Sequence, residues 1–206
     1  MALERQSEDA AKEFFSIPWT AAYLDKPNIC WYVSSSRYRK SSNEDALFGQ
    51  TFNSVETIGS CITVYEQPLP DAVQINEVHT LMSIGTALDG WPRILHGGIV
   101  ATVIDEAMGI LLGTQMDFHR KNPGRNDGPN CNMSVKGGGS FTATLNIAYK
   151  NPVRTPKPLV VTTRYVKRQG RKDWIYAEIR QFDDTAGKEI VCATGEALFI
   201  AQKAKL

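Results

Sequence analysis

The residues best placed to do chemistry lie in one stretch, Arg93 to Thr114, RILHGGIVATVIDEAMGILLGT. It opens on His96-Gly97-Gly98 and carries Asp105 and Glu106 inside an apolar run. Two glycines let the backbone approach a ligand with no Cβ in the way. If a helix starts there, its first-turn N–H groups lack intrahelical partners and its dipole is positive. Such an end suits a carbonyl oxygen that becomes negative in a transition state. Asp105 follows in an apolar surround, where a carboxylate could serve as a base. An oxyanion donor with a base or nucleophile is the minimum for acyl transfer or hydrolysis. A tight turn before a helix, and a carboxylate satisfied by a neighbouring hydroxyl, would use the same residue types. Neighbours on a helix point about 100° apart, so Glu106 is assigned to a polar contact or a subunit interface instead.

The elements that must position these groups follow from periodicity. Ile99, Val100, Val103, Ile104, Ala107, Met108, Leu111 and Leu112 recur at three and four, which predicts a buried helix from about His96 to Gly113. Strand-like segments precede it (CITVYEQ, EVHTLMSIGTAL) and follow it (FTATLNIAYKN, LVVTTRYVKR, DWIYAEIRQF, EIVCATGEALFIA). PVRTPKP, QGRK and DDTAGK supply turn chemistry between the last four, which predicts an antiparallel meander. The fold class is therefore α+β, one long helix packed on an antiparallel sheet. Residues 115–140 have no period and contain five glycines, so they read as a long loop insertion. No Lys-Ser/Thr follows the GGG there, which argues against a phosphate loop. Residues 1–59 read as an N-terminal extension packing on a domain of 60–206, with a short helix from Glu8 to Phe15.

Bulk properties exclude several classes. A chain of 206 residues, 42% hydrophobic, can bury one full core. A net charge of +1 points to neither nucleic acid nor an anionic membrane. Asp105 and Glu106 interrupt the longest apolar run, so no membrane span is expected. The opening MALERQSEDAAKEFF has no apolar segment of a secretory signal and is acidic for a transit peptide. Cysteines at 30, 61, 131 and 192, with three histidines and no Cys-x-x-Cys, predict neither a metal site nor a disulfide framework. Residues 150–180 hold nine Lys/Arg against two acids, whereas residues 1–113 hold seven against fourteen. That basic segment is either a solvated sheet edge or a patch for an anionic ligand smaller than nucleic acid. Ala204-Lys205-Leu206 resembles the small-basic-Leu peroxisomal address, which would be read by an import receptor; unread, the chain would be cytoplasmic.

HGGIVATVIDEAMG resembles the signature of hotdog-fold acyl-CoA thioesterases of the phenylacetate-pathway and THEM type, with His-Gly-Gly, an apolar helix and an acid nine residues after the His. FTATLNIAYKNPV is similar to that family's Thr strand, and VKRQGRKDWIYAEI to its Gly-Arg turn and following strand. The resemblance covers about residues 60–201, and FFSIPWTAAYL is similar to fungal members. It implies an antiparallel sheet wrapped around one central helix, and a homodimer or homotetramer with active sites at the subunit interface. It implies an acyl-CoA thioesterase that needs no metal or redox cofactor. Asp105 would match the nucleophile or base, and Gly97 or Gly98 the amide donor to the thioester oxygen. His96 would help position or polarise the thioester. Thr142, from the other subunit, would hold the water or the carboxylate. Thr144 competes with Thr142, since alternate strand residues share a face. Lys167, Arg168, Arg171 and Lys172 would meet the CoA phosphates, where arginine grips with two donors. Three other readings stand beside it: a thioesterase that offloads a carrier protein in a biosynthetic pathway, which would use the same residues; a hotdog hydratase or dehydratase, which usually places its acid and His differently; and a non-catalytic acyl-CoA-binding hotdog protein, against which Asp105, Thr142 and both glycines argue.

Overall fold

Burial along residues 172–182 alternates, with Asp173, Ile175, Ala177, Ile179 and Gln181 inward and their neighbours outward. This is the period of a strand with one face on a core. A computed structural model describes residues 2–123 and 139–202, with side chains from residue 9 onward. Its strands are β1 (Ile29–Tyr32), β2 (Ile58–Glu66), β3 (Glu77–Ile84), β4 (Asp89–Trp91), β5 (Ile94–Leu95), β6 (Ser140–Tyr149), β7 (Lys157–Gln169), β8 (Lys172–Asp183) and β9 (Lys188–Ala201). Its α-helices are α1 (Ala2–Ser16), α2 (Pro18–Ala21) and α3 (Gly97–Lys121). Seven strands form one sheet in the order β1-β2-β3-β7-β8-β9-β6, antiparallel throughout, and β4-β5 form a separate hairpin. With α3 laid on one face, this is the α+β hotdog arrangement.

Helix α3 is seated by its apolar row. Val100, Val103, Ile104, Ala107, Met108 and Leu111 are buried and share a core with Leu159 and Val161 of β7 and Ile175, Ala177 and Ile179 of β8. Gly195 of β9 lets the helix come close: a Cβ there would lie 2.6 Å from Ile104 Cγ2. The other face of the sheet is covered by the N-terminal extension, where Ala11, Phe14 and Leu24 pack on Ile62, Val64, Leu81 and Val160. The extension also supplies β1, which adds an edge strand beside β2.

Three expectations are corrected. The helix runs to Lys121, so residues 115–121 are not loop. The inward row continues there as hydrogen-bonded polar residues, which apolar periodicity does not see. Buried Gln115 accepts from the Ile75 N–H at 2.8 Å and contacts His119 Nε2 at 2.6 Å. The resulting 25-residue helix is also long and apolar enough, by composition, to cross a bilayer, contrary to the expectation of no such run. Packing of its apolar row on the sheet accounts for that composition. Finally, of the last four strands only β7, β8 and β9 form a meander; β6 pairs with β9 at the far edge, not with β7. Residues 150–156 cross beside the β4-β5 hairpin instead of turning back, with Leu95 N–H donating to Val153 O at 2.9 Å and a bridge between Ile94 and Arg154. The rest of the expected loop, 124–138, and Ala204-Lys205-Leu206 lie outside the described residues.

Candidate active site

His96 is the N-cap of α3, and its imidazole does the capping: Nδ1 accepts the Gly98 N–H at 3.0 Å. An accepting Nδ1 carries no proton, so the neutral ring bears its hydrogen on Nε2 and presents it as a donor. The His96 carbonyl accepts from Ile99 and Val100 N–H at 2.9 and 3.0 Å. Gly90 of β4 presses on the ring, since a Cβ there would lie 2.8 Å from His96 Cδ2. Tyr149, at the end of β6, donates its hydroxyl hydrogen to Gly97 O at 2.8 Å. The two glycines therefore differ. The Gly98 N–H is consumed by the cap, while the Gly97 N–H enters none of the hydrogen bonds among the described residues. Of the two expected oxyanion donors, Gly97 has the open one.

Further along α3, Asp105 is half-buried and its Oδ1 accepts from Thr142 Oγ1 at 2.7 Å. Thr142 comes from the same chain, not from a second subunit as the resemblance implied. A β-bulge puts Thr142 and Thr144 on different faces of β6. Thr142 pairs with Phe199 and Thr144 with Leu198, leaving Ala143 as the extra residue. Directly paired residues share a face. Thr142 thus lies on the helix side with buried Phe199, and Thr144 on the opposite side with Leu198. Plain alternation, which put both threonines on one face, fails at the bulge. Beyond it Leu145, Ile147 and Tyr149 pair with Ala197, Gly195 and Ala193 and complete the helix-side row. Bulges beside functional sites re-aim a side chain in this way.

Glu106 faces the N-terminal extension. Burial pushes its carboxyl above the usual carboxylate range, with Asp45 and Asp105 adding to the rise; a Ser36 hydrogen bond and the Arg37 guanidinium act the other way. Arg37 is itself tied to Phe48 O, Phe52 O, Asn53 Oδ1 and Ile58 O at 2.7–2.9 Å.

The basic segment divides. Arg171 lines an open cavity of about 420 Å³ with Phe141, Thr142, Ala143 and Ile200, and donates from Nη1 to Ala201 O at 2.7 Å. Lys167 and Lys172 are exposed, and Lys167 Nζ lies 5.0 Å over the Trp174 ring. Arg168 does not fit the phosphate contact expected of it. Its Nε donates to Asp173 Oδ1 at 3.0 Å, the two side chains are 9% and 5% exposed, and the guanidinium covers the Tyr165 ring. An Arg–Asp pair closed off from solvent holds the β7-β8 turn together. Among the described residues, no three His, Cys, Asp or Glu gather as a metal site. Sequence reasoning missed Tyr149, Gly90 and the bulge. Gly90 before a hairpin turn was the only legible signal of these.

Comparison with known proteins bears on the same segment. Residues 93–187 match the model of the Thioesterase superfamily. Acyl-coenzyme A thioesterase THEM4 of Bos taurus is 32% identical over 100 residues, 48% of this chain and 32% of that protein. Verlamelin biosynthesis protein B of Lecanicillium sp is 26% identical over 140 residues, 58% of each chain. The chain therefore spans about a third of the first relative's length and 58% of the second's. A solved thioesterase family protein from Silicibacter pomeroyi aligns at 22% identity and TM-score 0.48, over 68% of this chain and 83% of that one. The matched segment, residues 93–187, carries His96, Gly97, Asp105 and Thr142.

Proposed function

We propose that the protein hydrolyses acyl-CoA thioesters to a free acid and CoA. The observation that carries this reading is the Asp105–Thr142 pair at 2.7 Å on a superfamily segment whose helix begins with an open amide. Thr142 holds Oδ1, which leaves Oδ2 for a water molecule or for direct attack. In the first course Asp105 takes a proton from water as its oxygen adds to the carbonyl carbon. In the second the carboxylate adds and water then cleaves the resulting anhydride. In both the C–S bond breaks, the electron pair leaves on sulfur as CoA thiolate, and a proton follows. The Gly97 N–H holds the carbonyl oxygen while it is negative, and His96 Nε2–H would supply a second donor.

Spacing adds a second subunit. Gly97 and Asp105 are eight residues apart on one helix, roughly 12 Å along its axis at 1.5 Å per residue. One thioester cannot touch both in a single chain. Two copies of α3 packed antiparallel across a two-fold axis would bring Gly97 of one beside Asp105 of the other. Gly98, Thr102, Asp105 and Gly109 form a partly exposed stripe of mostly small residues on α3 that permits such an approach, and β6 beside it is an unpaired sheet edge. The proposed unit is thus a homodimer or a tetramer built from it. Location follows from Ala204-Lys205-Leu206, proposed as a peroxisomal address.

A carrier-protein thioester is the second reading, favoured by the similarity to a protein named for verlamelin biosynthesis. Free-thiol release from short, long and aryl acyl-CoAs, with Asp105→Asn in parallel, tests the proposal. Turnover that falls at least about a hundredfold in the variant is expected. A folded protein that cleaves none of them overturns the acyl-CoA reading.

A further inference from the structure

The β4-β5 hairpin runs directly into His96 and is tied down by hydrogen bonds. Asp89 Oδ2 accepts the Arg93 N–H at 3.0 Å, and Asp89 Oδ1 accepts from the Thr155 hydroxyl. Thr155 N–H donates to Arg93 O at 3.2 Å, and Leu88 O accepts from His96 N–H at 2.9 Å. On this frame sits Trp91, 71% exposed, more than Phe141 at 60% or Tyr149 at 59%. Arg93 is exposed at the turn. Arg154 is exposed beside it, because residue 154 bridges to Ile94. Neither guanidinium joins an ion pair or hydrogen bond among the described residues.

The turn itself singles out Arg93. Pro92 fixes its own φ near −65°, and Arg93 has φ +61°. A turn with proline first and positive φ second favours glycine in the second place. An arginine there adopts a left-handed conformation that L-residues rarely take. Backbone strain of this kind clusters at ligand clamps.

We infer that Trp91, Arg93 and Arg154 form the platform that takes the adenosine 3′,5′-bisphosphate end of the acyl-CoA. The inference rests on the thioesterase reading for its choice of ligand. An exposed indole offers a stacking face to a purine. Two uncommitted guanidiniums match two anionic phosphates, each able to grip with paired donors. The placement fits the geometry of the substrate. The pantetheine arm separates thioester from nucleotide, and Arg93 stands three strand residues, about 10 Å, from His96 before its own side chain is counted. The hairpin thus takes over the role expected of Arg168, whose charge is closed off by Asp173.

Calorimetric titration of the full chain with adenosine 3′,5′-bisphosphate tests this without any turnover. Trp91→Ala, Arg93→Gly and Arg154→Gln are each expected to weaken binding at least fivefold. Arg93→Gly is the informative variant: glycine relieves the turn, so it should melt no lower than the unsubstituted chain while binding less. With acyl-CoA the same variants should raise KM and leave kcat, and KM for the acyl-N-acetylcysteamine thioester, which has no nucleotide, should not move. An unsubstituted chain that does not bind the bisphosphate overturns the platform. So does unchanged affinity in all three variants, and so does a changed oligomeric state at unchanged affinity, which would make the patch a subunit contact. Absent thiol release with platform-dependent binding intact would instead remove the hydrolase reading alone.

Discussion

At the scale of single residues, the hydrogen bond from Thr142 decides how Asp105 is presented. A hydrogen bond to a charged group contributes about 1.5–3 kcal/mol. Thr142→Val keeps the shape and removes the donor, so thiol release should fall roughly ten- to a hundredfold in kcat with KM little changed. Thr144→Val, on the opposite face of β6, should leave the rate unchanged. Equal losses in both variants would mean that the bulge does not sort them. The His96–Asp105 spacing was legible in the sequence because helix periodicity fixes it. The choice of threonine was not, since alternation assigns both to one face and nothing around Ala143 announces an extra residue. Glu106 makes the companion case. Burial raises its carboxyl pKa in the folded chain, so between the ordinary carboxylate range and that raised value the folded state binds more protons than the unfolded one. Its contribution to stability therefore falls as pH rises through that window. Glu106→Gln removes the charge, and its melting temperature should exceed that of the parent at pH 8, with the gap closing as pH drops below 4. A gap that is the same at both pH values would show that Glu106 titrates normally.

At the scale of elements, the seat of α3 on β9 is the constraint that carries Asp105 to Thr142. Gly195 is the contact point, and Ile104, next to Asp105, is what a methyl there would strike. Overpacking of this kind costs typically 1–3 kcal/mol, which for a chain of this size lowers Tm by roughly 2–12 °C. Gly195→Ala should show that loss by thermal unfolding, and Ile104→Val in the same chain should recover part of it by vacating space. Full stability in the single variant would place the helix further from the sheet. The existence of the helix and of most strands could be read from period 3.6 and period 2. The last two turns of α3 could not, because Gln115 and His119 continue the buried row with hydrogen bonds where apolar residues stop. The edge position of β6 was also hidden: PVRTPKP reads as a turn, and only its pairing beside the β4-β5 hairpin shows a crossing.

At the scale of the whole molecule, the separation between Gly97 and Asp105 becomes a statement about assembly. Helix geometry puts them roughly 12 Å apart in one chain, so a working site needs either two chains or a distorted α3. The two cases differ in a mixing experiment. Gly97→Pro removes the open N–H at the first helical position, where proline is tolerated. His96, at φ −58° and ψ 134°, already has the extended backbone that a following proline requires. Asp105→Asn removes the carboxylate at the other end. Each variant alone should be inactive. Co-expressed with different tags, half of the dimers at random assortment are mixed. Each mixed dimer then has one site with both groups intact and one with neither, so about a quarter of the wild-type rate should return. The purified mixed dimer should show about half. If α3 brought both groups to one thioester within a chain, every site in every mixture would lack one group, and mixing would restore nothing. Recovery of activity would thus establish the two-fold site without a structure of the assembly, and its absence in mixed dimers that are folded would send the search for the oxyanion donor away from Gly97.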